Sequence, residues 1–149
     1  MNTKLKGDLA EQAAVLEALK LGWGVLKPLG DRLPYDLVFD VDGALVRIQV
    51  KNGWLDDRTG NYVADTRRTR TNRREMVRAS YSATDFDFAL IYIPDRDLFY
   101  VFPVEVFISY GSEIHMTEAG KRQRKPKSAN FRDAWELILQ WATREETPV

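Results

Sequence analysis

On either side of Asp42-Gly43 the chain alternates apolar and polar residues with a period of two, and the dipeptide between is the one best suited to a two-residue type I′ turn. The pattern predicts a β-hairpin, with strands over residues 35–41 and 44–51. With Val41 facing Ala44, the register pairs Phe39 with Val46 and Leu37 with Ile48, so one face is apolar throughout. The other face sets Asp40 against Leu45, Val38 against Arg47 and Asp36 opposite Gln49, with Lys51 two residues further along. Directly opposed Cβ atoms lie about 4.5–5.5 Å apart, so an acid and an amide converge beside a lysine. Taken alone, the pattern equally describes a half-exposed hairpin whose outer residues meet water.

Helical spacing dominates the opening segment. Leu5, Leu9, Leu16 and Leu19 recur as on an amphipathic helix, Thr3 is a candidate N-cap, and Gly22 and Gly24 end the run. Gly7 and Glu11, four residues apart, share a neighbouring stripe, so a position without a side chain precedes a carboxylate by one turn. A mid-helix glycine costs about 0.5–1 kcal/mol relative to alanine, and a close approach at Gly7 would explain its presence. Glu11 is otherwise an ordinary solvated acid.

The remaining pattern predicts a scaffold around these elements. Residues 23–27 read as a strand preceding the hairpin, and residues 61–64 as an extension of the sheet. Residues 74–82 read as helical, and 86–93 and 98–102 as a second, aromatic-rich hairpin about Pro94-Asp95-Arg96-Asp97. A short helix is expected over 104–109 and a C-terminal helix over 131–143, with Phe131, Trp135 and Leu139 toward the core. The last five residues are expected to fray.

Composition narrows the chemistry. The 149 residues suit a single domain, 1–149, with a substantial core. With no cysteine there is neither a disulfide framework nor a thiolate zinc site, which suits a cytoplasmic location. The single histidine, His115, excludes designs needing two or more and makes a Ser-His-Asp triad improbable. No apolar run is long enough to span a membrane, and the charged start, Met1 to Asp8, lacks the apolar centre of a signal peptide. The formal net charge is zero, yet eleven of the 22 Lys and Arg fall in two clusters. One is Arg67, Arg68, Arg70, Arg73, Arg74 and Arg78, interleaved with Thr66, Thr69, Thr71 and Asn72; the other is Lys121, Arg122, Arg124, Lys125 and Lys127. Either would serve as a phosphate-contacting surface, or simply as solvated charge.

The order of these parts carries more weight than any one of them. A helix bearing Gly7 and Glu11, a strand, Pro34-Tyr35-Asp36, a hairpin and Gln49-Val50-Lys51 together resemble the PD-(D/E)XK nuclease superfamily over roughly the first third of the chain. Within it, the opening Asn2-Thr3-Lys4, Lys6-Gly7-Asp8 and Glu11, with Leu33-Pro34-Tyr35-Asp36-Leu37-Val38, resemble homing endonucleases encoded in group I introns of bacterial, cyanobacterial-type tRNA genes. Archaeal-type Holliday-junction resolvases are similar in layout. The chain departs from the pattern at Gln49, where Asp or Glu is usual; an amide is a weaker ligand for a hard cation.

The resemblance implies an α/β (α+β) restriction-endonuclease-like core, with an N-terminal helix and a central mixed β-sheet flanked by helices. It implies a Mg²⁺-dependent endonuclease, with Mn²⁺ as a substitute, cutting double-stranded DNA at a defined sequence to leave 5′-phosphate and 3′-hydroxyl ends. Glu11, Asp36, Gln49 and Lys51 would be catalytic. Glu11, Asp36, Gln49 and the carbonyl of Val50 would hold the metal, and Lys51 would act on the attacking water and the phosphate. Arg67, Arg68, Arg70, Arg73, Arg74, Lys121, Arg122, Arg124, Lys125 and Lys127 would contact DNA. Cutting both strands calls for a homodimer or a dimer of dimers, with no membrane and no small-molecule cofactor. The competing readings are a junction-selective nuclease, a DNA-binding module with a decayed metal site, and a protein-interaction domain.

Overall fold

The computed structural model describes residues 2–71, 76–118 and 125–144. The chain opens with helix α1 (Thr3–Lys20), followed by the meander β1 (Gly24–Leu26), β2 (Leu37–Val41) and β3 (Ala44–Asn52). Next come β4 (Trp54–Leu55), β5 (Tyr62–Asp65), β6 (Arg67–Thr71) and β7 (Met76–Ser80). A second hairpin, β8 (Phe88–Ile93) and β9 (Leu98–Pro103), leads into α2 (Val104–Ile108), β10 (Glu113–Met116) and α3 (Glu136–Ala142). Among the described residues, a five-stranded sheet runs in the order β1-β2-β3-β8-β9. β3 and β8 are parallel, and the other neighbours antiparallel, so the sheet is mixed.

The expected turn and register both form. Asp42 and Gly43 take φ of 52° and 92°, and the pairs are Val41 with Ala44, Phe39 with Val46 and Leu37 with Ile48. Asp40 Oδ1 accepts a 2.8 Å hydrogen bond from the Gly43 amide, which closes the loop. The apolar face, Leu37, Phe39, Val41, Val46 and Ile48, is buried with α1 and α3 in one core cluster. The opposite face is no open surface further along the sheet. Ala89, Ile91 and Ile93 of β8 and Tyr100 and Phe102 of β9 join α2, β5 and β10 in a second cluster. Gly53 packs so closely between the two hairpins that an added Cβ would lie 2.7 Å from Ile93 Cδ1.

α1 differs from its predicted orientation. Its buried residues are Ala10, Ala14 and Ala18, whereas Leu5, Leu9, Leu16 and Leu19 remain about half exposed. At about 100° per residue the two stripes lie on opposite sides of the helix. Alanine lets the helix axis approach the sheet, and Gly7 and Glu11 lie close to the alanine stripe, on the side turned toward the sheet. The N-cap is Asn2, not Thr3, with its side chain accepting from the Lys4 amide at 2.7 Å. Among the described residues, and apart from the helix's own backbone, nothing lies within 4 Å of where a Cβ on Gly7 would sit, so they do not make the close approach expected there.

Three other expectations change. Residues 61–64 do not extend the main sheet, because β5 belongs to a separate three-stranded sheet, β10-β5-β4. The described part of 74–82 is strand β7 paired with β6 in a two-stranded ribbon, cross-strand pairing having overridden the helix propensity of the arginine-rich run. The C-terminal helix is shorter than predicted: a 3-10 turn, Ala129–Phe131, precedes an isolated bridge between Arg132 and Tyr100, and α3 begins only at Glu136. Trp135 is buried, but Leu139 is exposed. Among the described residues no helix is long and apolar enough to cross a membrane.

Candidate active site

Pro34-Tyr35-Asp36 delivers the chain to the start of β2, where the Asp36 amide donates to the Ile48 carbonyl at 2.8 Å. That bond continues the hairpin ladder and turns the Asp36 side chain across to β3. There its Oδ2 accepts a 2.9 Å hydrogen bond from the Val50 amide. Burial pushes the Asp36 carboxyl above the ordinary carboxylate range, against the lowering effect of the Val50 hydrogen bond, and the negative charge of Glu11 adds to the rise. An acid that is both desolvated and close to a second acid is a place where a cation is favoured.

Glu11 supplies that second acid from α1, with a side chain only 19% exposed. Its Oε1 lies 2.6 Å from Nζ of Lys27, just beyond β1, and this contact holds the lysine above its ordinary range. Lys27 is a site residue for which the chain offered no motif. The signal lay in register: β1 pairs with β2 through Leu26 and Val38, which brings the residue after Leu26 to the Asp36 end of the hairpin.

Gln49 and Lys51 stand on β3, on the face opposite Ile48 and Val50. Gln49 is 7% exposed, and its Nε2 donates to the Val50 carbonyl at 3.4 Å, the carbonyl expected to ligate metal. Half a turn about the Cγ–Cδ bond would present Oε1 instead. Lys51 Nζ donates to the backbone carbonyl of Arg67 at 2.9 Å and lies 5.2 Å from the ring centre of Tyr81. Tyr81, immediately after β7, is buried, and burial raises its phenol, assisted by the charge of Asp36. Both roots of the β6–β7 ribbon therefore touch Lys51, an arrangement that spacing alone did not reveal.

The donor set suits a hard divalent cation. It offers two carboxylates, one amide and one backbone carbonyl, and no cluster of three or more His, Cys, Asp or Glu occurs among the described residues. An ion that keeps several waters and takes oxygen ligands needs no more than one or two carboxylates. His115 lies on β10, half exposed and 3.7 Å from Glu113, and belongs to no such set.

The basic clusters divide. Arg67, Arg68 and Arg70 lie on β6, and Arg78 on β7 is paired in register with Thr69. Arg67 is engaged within the chain, its Nε 3.0 Å from Asp65 Oδ1, and Arg68 donates to the Arg32 carbonyl at 2.7 Å. Lys127 lies 4.2 Å over the Tyr110 ring, and Lys125 is bonded to Asn130. Arg73, Arg74, Lys121, Arg122 and Arg124 lie outside the described residues. Arg47, opposite Val38 on the polar face, is held within the chain: it donates to both carboxylate oxygens of Asp87 and to the Thr84 carbonyl.

Residues 1–138 match the sequence profile of the PD-(D/E)XK endonuclease family. The chain belongs to that family. It is thus a hydrolase of internal phosphodiester bonds, from a family that generally uses divalent metal ions. Among solved structures, the bacterial homing endonuclease I-Ssp6803I is 65% identical to it, with a TM-score of 0.90 over 99% of this chain and 100% of that one. No curated protein matches the sequence.

Proposed function

We propose that this endonuclease is an intron homing endonuclease, cutting double-stranded DNA at a defined sequence with Mg²⁺ to leave 5′-phosphate and 3′-hydroxyl ends. The observation that carries the reading is the convergence of Glu11, Asp36 and Lys51 around the Gln49-Val50 segment of β3. Its full-length likeness to a homing endonuclease supports the choice of substrate.

Asp36 would anchor the ion, with Glu11, the Val50 carbonyl and a rotated Gln49 amide as the remaining protein ligands. When bound, the ion neutralises charge on the phosphate and lowers the pKa of a coordinated water. Lys51 exchanges its hold on the Arg67 carbonyl for the phosphate and the attacking water, stabilising the charge that develops there. The β6–β7 ribbon has the dimensions of a two-stranded ribbon that a major groove admits, and its arginines suit phosphate and guanine contacts. The chain acts as a homodimer or a pair of dimers, so that two sites meet two strands. A cytoplasmic location and a single catalytic domain complete the reading.

The test is incubation with Mg²⁺ and plasmids carrying candidate intron-insertion sites. Discrete linear products are expected from the native chain. Asp36→Ala and Lys51→Met should each lower the cleavage rate by at least about a thousandfold while binding of the duplex stays within a few-fold. Normal cutting by either variant would overturn the assignment.

A further inference from the structure

Lys27 stands out among the residues for which neither the family pattern nor the fold has a use. It follows β1, its side chain is 64% exposed, and its ammonium nevertheless reaches inward to within 2.6 Å of a carboxylate that is largely covered. Asp8 and Asp36 are the other acids whose charges act on it. A long, flexible lysine lying over a largely covered acid meets a need of the apo site, where two carboxylates stand near one another without a metal. With Glu11 and Asp36 negative and Lys27 and Lys51 positive, these four groups sum to zero. A divalent ion arriving among them makes one of the ammonium groups redundant as a counter-charge. Lys51 is anchored at both ribbon roots, so Lys27 is the group with the freedom to leave.

We propose that Lys27 is a positioning residue that substitutes for the divalent ion at Glu11 in the DNA-free enzyme and, on metal entry, transfers its charge to a phosphate of the bound strand. The inference rests on the metal-site reading above. Lys27 and the metal compete for Glu11, while Lys27 and the metal together favour the phosphate. DNA, by drawing Lys27 away, therefore makes room for the ion, and metal and DNA bind with positive coupling. The device keeps the cation affinity of the free enzyme low and raises it where a substrate phosphate is present.

The experiment is calorimetric titration of the DNA-free chain with Mn²⁺, for the native protein, Lys27→Met, Lys27→Arg and Asp36→Ala. Binding of a duplex of arbitrary sequence is measured in parallel, in Ca²⁺ over a range of salt. Lys27→Met should bind Mn²⁺ about five- to tenfold more tightly than the native chain. Its DNA affinity should fall, and the slope of log affinity against log salt should shrink by about 0.9, the value for one phosphate. Lys27→Arg should lie close to native in both. If Lys27→Met binds Mn²⁺ equally or more weakly, as expected were the lysine merely a support for Glu11, the inference fails and the metal site stands. If the native chain binds no Mn²⁺, or Asp36→Ala binds it as well as the native chain does, the metal-site reading fails and the inference with it.

Discussion

Burial of Asp36 carries a cost for the fold. Its raised pKa means that the folded chain holds the proton more tightly than the unfolded chain does. Stability linked to this group is therefore present below the ordinary carboxylate range and is lost as pH rises through the raised folded range. Asp36→Asn, neutral at every pH, escapes that loss. Thermal melts without metal should show the variant a few degrees more stable than the native chain at neutral pH, with the difference vanishing in acid. A native chain that melts above the variant at neutral pH would contradict the burial argument. Cutting should fall away on the acid side as Asp36 takes up its proton, since a ligand must be deprotonated to hold the ion.

Elements were legible where a local rule left one solution. Asp42-Gly43 allowed a single tight turn, and a two-residue period then specified every partner from Val41 to Ile48. In α1 the pattern was visible but pointed to the wrong face. Leucine reports apolar surface without naming what covers it, whereas alanines at a helix–sheet contact are chosen for the space they do not occupy. The ribbon eluded the period-based reading because hairpin pairing across 5 to 13 residues of chain outweighs the helix propensity of Arg, Glu and Met. Lys27 and Tyr81 carry no motif, and they enter the site only through the pairing of distant strands. At this scale the ribbon's role in DNA binding is open to measurement. Replacing Arg68, Arg70 and Arg78 by Gln should weaken binding and lower the salt slope by about 0.9 for each phosphate no longer neutralised. Arg67→Gln should change the slope less, because its guanidinium is held by Asp65. Equal slopes for native and triple variant would clear the ribbon of that role.

For the whole molecule the leucines of α1 matter most. Leu5, Leu9, Leu16 and Leu19, with Trp54 and Leu55 near their level of exposure, leave a considerable apolar area uncovered. A groove of about 620 Å³ opens between Leu9, Leu16, Trp54, Leu55 and Tyr92, lined by neither Asp36 nor Lys51. Contiguous apolar surface of this kind marks protein contacts more often than it meets water. If the copies of this chain meet there, Leu9→Glu with Leu16→Glu should halve the mass measured by light scattering and leave circular dichroism unchanged. A native chain that is already monomeric at working concentration would refute the assembly. On the reading proposed above, recognition and cutting would occupy different parts of the chain. The sheet and α1 hold the acids, while the arginines ride on a ribbon whose Arg67 carbonyl and Tyr81 ring meet Lys51. If the ribbon reads the DNA, new sequence grafted between Thr69 and Arg78 would change the target while Arg67 and Tyr81, left native, keep the blade seated on its handle.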